Sequence, residues 1–271
     1  MTEGPSLAPL REAAEGLRAL HAGPEPLILT NAWDVSSAMA VERAGAAAIA
    51  TTSSAVAASL GYPDGEGTPP DEMFQVARRI AKAVAVPVTA DLEGGYGLAA
   101  DELVERMLAA GVVGLNLEDT ERSQAAMDEL LPLAEATRRI ASIRDAATDR
   151  AVPLVINARI DVFLRGAGTL EERVEEAIGR GRSYVDAGAD CVYPIGLNEP
   201  AAIRRIVGAV DAPVNILLRP GAPGVRELAA LGVRRISVGG GLALHVQALT
   251  ARLARELLAG DGAAFASLGE N

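Results

Sequence analysis

The 271-residue sequence predicts a single (β/α)₈ barrel, an α/β fold in which eight parallel strands alternate with helices. Two patterns support this class. Short apolar or β-branched runs alternate eight times with longer amphipathic stretches, and polar or charged residues gather where those runs end. A barrel typically takes about 250 residues, so the length suits one. No linker or low-complexity segment divides residues 1–271, and we expect one domain.

The elements are predicted in strict alternation along the chain. Strands are expected near 27–31, 47–52, 87–91, 112–118, 153–159, 190–195, 213–218 and 235–239, where the apolar runs lie. Helical patterns cover residues near 34–44, 70–83, 99–110, 127–149, 170–187, 199–209, 223–231 and 242–259, and an extra helix near 7–20 precedes the first strand.

Residues at the helix ends support these boundaries. A glycine able to adopt a left-handed conformation follows four of the helices: Gly45, Gly111, Gly188 and Gly232. Four residues with short oxygen-bearing side chains stand where N-caps are expected: Asp34, Asp101, Thr169 and Asn198.

Composition excludes several functional classes. The net charge of −11 argues against a nucleic acid or an anionic membrane as partner, because both require clustered positive charge. No apolar run reaches the roughly 18 residues of a membrane span. A single cysteine excludes an internal disulfide framework and fits a reducing cytoplasm, where we expect the protein to be located.

The scarcity of lysine and histidine narrows the chemistry. Lys82 is the only lysine and is predicted at the end of a helix, facing away from the strand ends, which disfavours a Schiff-base mechanism. His21 and His245 also lie far from any strand end. The sequence therefore offers no suitable histidine for a zinc site or for a Ser-His or Cys-His catalytic pair. Acid–base work therefore falls to carboxylates, arginine, tyrosine, hydroxyls and a metal ion.

Carboxylates close two adjacent predicted strands. Asp91 and Glu93 are two residues apart, so both would face the same side if the strand continued, with Glu118 of the next strand beside them. Hard oxygen ligands of this kind suit Mg²⁺, or Mn²⁺ in its place. The alternative is a set of solvated acids or helix caps. Barrel enzymes carry their active sites at this end of the strands, which favours the metal interpretation.

Other polar residues at the strand ends suggest an anion site. Arg159 ends an otherwise apolar strand and needs an anion, either a substrate carboxylate or a structural partner such as Glu118. The hydroxyls of Thr52, Ser53 and Ser54 are suited to cradling a carboxylate. Asp64 lies in a predicted turn, from which it could reach a metal ion through water.

Cys191 is predicted inside a strand, and we interpret it as a buried inert thiol.

These motifs together resemble the phosphoenolpyruvate mutase/isocitrate lyase superfamily over nearly the whole chain. The similar segments are Asn31-Ala32-Trp33-Asp34, Ser59-Leu60-Gly61-Tyr62-Pro63-Asp64, Asp91-Leu92-Glu93-Gly94-Gly95-Tyr96-Gly97, Leu117-Glu118-Asp119 and Asn157-Ala158-Arg159. The resemblance implies a barrel whose last helix is exchanged within a homodimer or homotetramer. It also implies Mg²⁺, a small 2-oxo or 2-hydroxy acid as substrate and a pyruvate enolate as intermediate.

The resemblance also implies roles for individual residues. Asp91 matches the direct metal ligand, and Glu93, Glu118 and Asp64 match water-mediated ligands. Thr52, Ser53 and Ser54 match the segment that binds the substrate carboxylate, and Arg159 matches the arginine that holds the oxo-acid. Asn215 matches a substrate-contacting asparagine on a looser local alignment.

The chain departs from the family's lyases in one loop. These enzymes carry a Lys-(Lys/Arg)-Cys-Gly-His loop whose cysteine acts as the proton donor. Residues 120–127 of this chain contain no Cys, His or Lys. The Lys-Thr-Asn loop of phosphonate-forming mutases is absent too, and Pro194-Ile195 replaces a glutamate found in some lyases. We therefore expect a Mg²⁺-dependent carbon–carbon lyase or decarboxylase, in which Arg159 binds substrate and Glu118 or a metal-bound water is the base. Phosphonopyruvate-type phosphorus–carbon chemistry is the alternative, and a non-catalytic carboxylate-binding barrel is the rival from another class.

Overall fold

The computed structural model describes residues 6–120 and 129–266. Its strands are β1 (Leu27–Leu29), β2 (Asn31–Ala32), β3 (Ile49–Thr51), β4 (Val88–Asp91), β5 (Gly114–Glu118), β6 (Val155–Ile160), β7 (Cys191–Pro194), β8 (Asn215–Leu217) and β9 (Arg235–Ser237). Its helices are α1 (Ala8–His21), α2 (Val35–Arg43), α3 (Ser53–Leu60), α4 (Pro70–Ala83), α5 (Ala100–Ala110), α6 (Leu133–Asp149), α7 (Val162–Arg165), α8 (Leu170–Asp186), α9 (Pro200–Ala209), α10 (Val225–Ala230), α11 (Gly241–Leu258) and α12 (Ala263–Ala266).

The strands form a parallel ring. One run of neighbours is β2-β3-β4-β5-β6-β7, and a second is β1-β9-β8. Only Thr30 separates β1 from β2, so these two pieces make the first strand of the barrel and join the two runs at one point. A parallel bridge between Val192 and Val214 joins them again, between β7 and β8. The predicted α/β barrel fold is confirmed.

Helix boundaries show where local signals were misleading. The helix predicted near 127–149 begins at Leu133, because Pro132 disfavours helical backbone in the residue before it; residues 121–128 lie outside the described part. α3 was not predicted, since its small residues Ser53, Ala55, Val56 and Ala57 are all buried and leave no amphipathic pattern. Its start places Ser53 and Ser54 on a helix rather than in a loop.

Two of the four predicted N-caps are confirmed. The Asp34 and Thr169 side chains accept hydrogen bonds from the Ser37 and Glu172 backbone N–H groups, at 2.7 and 3.3 Å. The predictions for Asp101 and Asn198 are wrong. Asp101 lies in the first turn of α5 and pairs with an arginine, and Glu199 rather than Asn198 precedes the proline that begins α9.

Polar side chains occupy two levels of the barrel interior. Asp91 pairs in register with Asn116 between β4 and β5, and Glu118 pairs with Arg159 between β5 and β6. Residues two apart on a strand face the same side, so Asn116 lies inside the barrel one level below Glu118. The predicted site therefore spans both levels, with Asp91 in register with Asn116 in the lower level and Glu118 in register with Arg159 in the upper level.

α11 stands apart from the rest of the barrel. In its 18 residues only Ala243, near its start, is buried. Apolar side chains along it are exposed, among them Leu244, Leu249 and Leu258. None of the described helices combines the length and apolar character needed to cross a membrane.

Candidate active site

A cavity of about 460 Å³ opens at the carboxyl ends of the strands. It brings together seven of the predicted site residues: Thr52, Ser53, Ser54, Asp64, Asp91, Glu118 and Arg159. Its wall also includes Asn31, Asn116, Leu164, Arg165, Tyr193, Ile195, Leu217, Ser237 and the glycines Gly65, Gly239 and Gly240. The end of the barrel that was predicted to carry the chemistry therefore contains a cavity large enough for a small organic acid.

Asp91 is held from two sides. Its Oδ2 accepts hydrogen bonds from the Ser53 backbone N–H and from the Ser53 hydroxyl, both at 3.0 Å. Its Oδ1 accepts a longer bond of 3.4 Å from the Asn116 amide. Because α3 begins at Ser53, the carboxylate lies at the positive end of that helix, where backbone N–H groups favour a negative charge.

Arg159 combines both interpretations that the sequence left open. It lines the cavity, and it is also ion-paired with Glu118 through Nη1 and with Asp161 through Nε, the latter at 2.6 Å. Burial alone would lower the pKa of Arg159, but the Glu118 and Asp161 carboxylates outweigh it and raise the pKa above its ordinary value. The guanidinium is therefore a fixed cation at the cavity wall.

Glu93 is not among the residues that line the cavity with Asp91, contrary to the expectation from their spacing. β4 ends at Asp91, and Glu93 adopts a left-handed backbone with φ of +51°. Its carboxylate accepts hydrogen bonds from the Tyr96 hydroxyl, at 2.8 Å, and from the Glu66 backbone N–H. Burial, opposed by these bonds, raises the pKa of Glu93 to about 7. Glu93 therefore clamps two loops together outside the cavity wall.

Asn215 and Cys191 also lie away from the cavity wall. Asn215 is fully buried and donates a 3.3 Å hydrogen bond to Ser237, which does line the cavity. Cys191 is fully buried in β7, as predicted, and burial raises the pKa of its thiol to about 12. The thiol is thus held in its unreactive protonated form.

The structure adds residues that the sequence did not single out for a role. Asn31 accepts hydrogen bonds from the backbone N–H groups of Val238 and Gly239, at 3.0 and 2.8 Å, and donates to the Thr51 carbonyl at 2.7 Å. It therefore fastens the glycine-rich turn after β9 to the first barrel strands. Arg235 is buried below the cavity; its signal in the sequence was an arginine at the start of a predicted apolar strand.

The donors around the cavity fit a hard cation. The carboxylates of Asp64, Asp91 and Glu118 line it together with the hydroxyls of five residues, Thr52, Ser53, Ser54, Tyr193 and Ser237, and its described lining residues include no His, Cys or Lys. No group of three or more His, Cys, Asp or Glu residues converges as a ready cage in the described part of the chain. Mg²⁺ suits this arrangement, because it commonly takes one or two carboxylates and keeps several waters.

Comparison with known proteins agrees with this geometry. The phosphoenolpyruvate phosphomutase family model matches residues 17–258. A crystal structure of a putative phosphonomutase from Burkholderia cenocepacia J2315 is 41% identical, with a TM-score of 0.84 over 90% of this chain and 99% of that one.

Two further proteins extend the comparison. A probable 2-methylisocitrate lyase from Corynebacterium glutamicum is 32% identical over 75% of this chain and 66% of its own length. The structure of a phosphonopyruvate hydrolase in complex with oxalate and Mg²⁺ is 25% identical, with a TM-score of 0.78 over 92% and 88% of the two chains. From the match over nearly its whole length, the chain belongs to the phosphoenolpyruvate mutase/isocitrate lyase superfamily.

Proposed function

We propose that this protein is a Mg²⁺-dependent lyase that breaks a carbon–carbon bond beside the carbonyl of a small 2-oxo or 2-hydroxy acid. The observation that carries the proposal is the cavity wall itself. It joins the carboxylates of Asp64, Asp91 and Glu118 to the cation of Arg159, and its described residues offer no lysine, histidine or cysteine. Such a wall can stabilise negative charge on an oxo-acid but supplies no Schiff base and no thiol acid.

Asp91 is the residue proposed to hold the cation directly, with Glu118 and Asp64 acting through water. The related hydrolase whose structure holds oxalate and Mg²⁺ supports Mg²⁺ as the cation, and Mn²⁺ would serve in the same place. When bound, the cation supplies positive charge where negative charge develops on the substrate oxygens. Glu93 is left to hold the adjoining loops, since its carboxylate is engaged by Tyr96 and Glu66.

The substrate is proposed to lie between Arg159 and the residues that begin α3. Two groups of the Arg159 guanidinium bind Glu118 and Asp161, and its other N–H groups remain to donate to a substrate carboxylate. The hydroxyls of Thr52 and Ser54 lie 3.2 Å apart and line the same cavity, where they can donate to the substrate as well.

Decarboxylation needs the fewest groups from the protein. The electron pair of the breaking carbon–carbon bond moves onto the oxo group, carbon dioxide leaves, and the pyruvate enolate takes a proton from water. Cleavage of a 2-hydroxy acid additionally needs a base for the alcohol proton, and Glu118 is the carboxylate proposed for it. Both routes release pyruvate or a close homologue.

Phosphorus–carbon chemistry is the second candidate, because the matched family model and the Burkholderia structure are of the phosphomutase type. A phosphonate dianion would bring more negative charge to the cavity than a carboxylate. Arg159 already shares its charge with two buried carboxylates, which favours the smaller anion.

A second copy of the chain is the partner that we propose, in a homodimer or homotetramer. α11 has one buried residue in 18 and an exposed row of apolar side chains. Such a surface is expected of a helix that packs against another subunit. Light scattering should give a mass of two or four chains. A monomer at micromolar concentration would contradict this proposal.

The function is tested by incubating the protein with 2-oxo and 2-hydroxy acids, with and without Mg²⁺, and following pyruvate release. The comparison variants are Asp91→Asn and Asp145→Asn, the latter on an exposed position of α6. We expect Mg²⁺-dependent release by the wild-type and Asp145→Asn proteins and none above the metal-only rate by Asp91→Asn. Pyruvate with inorganic phosphate from phosphonopyruvate alone would favour the second candidate. Oxalate binding without turnover of any acid would indicate the non-catalytic barrel.

A further inference from the structure

A buried arginine lies below the cavity without a carboxylate partner. The Arg235 side chain is only 1% exposed, and it forms no ion pair within the described part of the chain. Its Nε also lacks a hydrogen-bond partner there. Because burying an uncompensated charge is costly, an apolar residue at this position would be expected to give a more stable core. The presence of arginine therefore calls for an explanation beyond packing.

The hydrogen bonds of Arg235 lead to the base of the proposed metal site. Its Nη2 donates to the Asn116 Oδ1 atom at 3.1 Å, and the Asn157 amide donates to the same oxygen at 2.8 Å. Asn116 in turn donates through Nδ2 to the Asp91 Oδ1 atom at 3.4 Å. Two donors on one side of the Asn116 amide thus leave its own N–H group facing the carboxylate.

The other partner of Arg235 comes from the helix that precedes the barrel. His21, at the end of α1, lies with Nε2 at 3.4 Å from the Arg235 Nη1 atom and Nδ1 at 2.8 Å from the Leu17 carbonyl. A carbonyl can only accept, so Nδ1 carries the proton and Nε2 is free to accept from the guanidinium. Arg235 is thereby fixed between α1 and Asn116.

We infer that Arg235 is a positioning residue for Asp91, acting through Asn116. The Arg235 guanidinium and the Asn157 amide together hold the Asn116 oxygen, so the Asn116 N–H group orients one oxygen of Asp91 while Ser53 holds the other. Without the Arg235 guanidinium, only the Asn157 amide still donates to the Asn116 oxygen, so the orientation of the Asn116 N–H group toward Asp91 is held by one donor instead of two. This inference rests on the proposed role of Asp91 as a metal ligand.

The test is Mg²⁺ binding by metal-free protein, measured by calorimetry, for Arg235→Met and for the control Arg234→Met. Arg234 is the exposed neighbour, and it donates to the backbone carbonyls of Gly23 and Pro24. Partners that orient metal ligands typically affect metal affinity by about 10–100-fold, so we expect Arg235→Met to bind at least about tenfold more weakly. Its unfolding temperature should equal or exceed that of the wild type. Arg234→Met should bind like the wild type.

A double-mutant cycle separates positioning from general damage. In an Asn116→Ala background, Arg235→Met should weaken Mg²⁺ binding by less than about twofold further, because the connecting amide is already gone. If Arg235→Met does not fold, Arg235→Lys replaces it in the same cycle, since it keeps the charge but loses the fork that binds Asn116.

Two results would overturn the inference. One is a folded Arg235→Met or Arg235→Lys protein with Mg²⁺ affinity within twofold of the wild type, and the other is full additivity with Asn116→Ala. If the wild-type protein itself bound neither Mg²⁺ nor Mn²⁺, the proposed function would fail first and this inference with it. The two failures are therefore told apart by the wild-type titration.

Discussion

Replacement of Arg159 by lysine tests how the cavity recognises an acid. Arg159 forms two ion pairs, with Glu118 and Asp161, whose side chains are 2% and 0% exposed. A lysine keeps one positive charge but has a single ammonium group, so it cannot serve both carboxylates and a substrate from one planar fork. We expect Arg159→Lys to lose binding of an oxo-acid while remaining folded.

The size of the effect follows from what the substitution removes. Truncating one partner of a buried charged contact costs about 2–5 kcal/mol, much of it from the stranded partner charge. Lysine retains the charge, so we expect the lower half of that range, about 2–3 kcal/mol. Each 1.4 kcal/mol is a factor of about ten, which corresponds to roughly 30- to 150-fold weaker binding of oxalate.

Calorimetric titration of oxalate in the presence of Mg²⁺ measures this change. The control is Arg226→Lys, at an exposed position on α10, which should bind oxalate like the wild type. Circular dichroism should show that Arg159→Lys keeps its fold. Oxalate affinity within about twofold of the wild type would refute the assignment of Arg159 as the carboxylate-binding group and leave it a structural ion pair.

Three further substitutions test the metal ligand and two buried side chains outside the cavity wall. Asp91→Ala should abolish stabilisation of the protein by Mg²⁺ in thermal unfolding while leaving a folded barrel; unchanged Mg²⁺ affinity would show that the metal lies elsewhere. Cys191→Ala should cost about 1–2 kcal/mol of stability through a small cavity and change turnover by only a few fold, and a hundredfold loss in a well-folded variant would assign the thiol a chemical role. Burial and the Arg235 charge lower the pKa of His21 from 6.5 to about 4. The neutral imidazole therefore contributes fully to stability above pH 6.5, and this contribution is lost as the pH falls toward 4. The unfolding free energy of His21→Gln should therefore fall less steeply between pH 6.5 and 4 than that of the wild type, by up to about 1.4 kcal/mol per pH unit; identical slopes would contradict a neutral buried imidazole.

The sequence alone determined the strand ends and the residues that gather there. Apolar runs fixed the eight strands, and polarity at their ends located the cavity, because parallel strands in a barrel bring their carboxyl ends to one face. Glu118 was one of the two partners that the sequence offered for Arg159, since each closes a strand, and the structure shows the pair. The caps at Asp34 and Thr169 were equally readable, as their hydrogen bonds span only three residues.

Where a strand stops was decided only by the tertiary structure. Residues two apart face the same side only while the backbone stays extended, and after the left-handed turn at Glu93 its carboxylate binds Tyr96 and Glu66 and does not line the cavity with Asp91. Local spacing does not record that turn fully, because one of the two bonds to the Glu93 carboxylate comes from Glu66, on another loop, and the other from Tyr96, three residues along.

The surroundings of Asp91 also depended on closure of the barrel. Ser53, Asn116 and Arg235 are separated along the chain, and only the ring of strands brings Ser53 and Asn116 to the Asp91 carboxylate and Arg235 to Asn116. The sequence shows Arg235 only as a charged residue in an apolar run. Its partners, His21 and Asn116, are known only from the three-dimensional structure. Burial and hydrogen-bond geometry, which local propensity does not encode, therefore decided which polar residues act together.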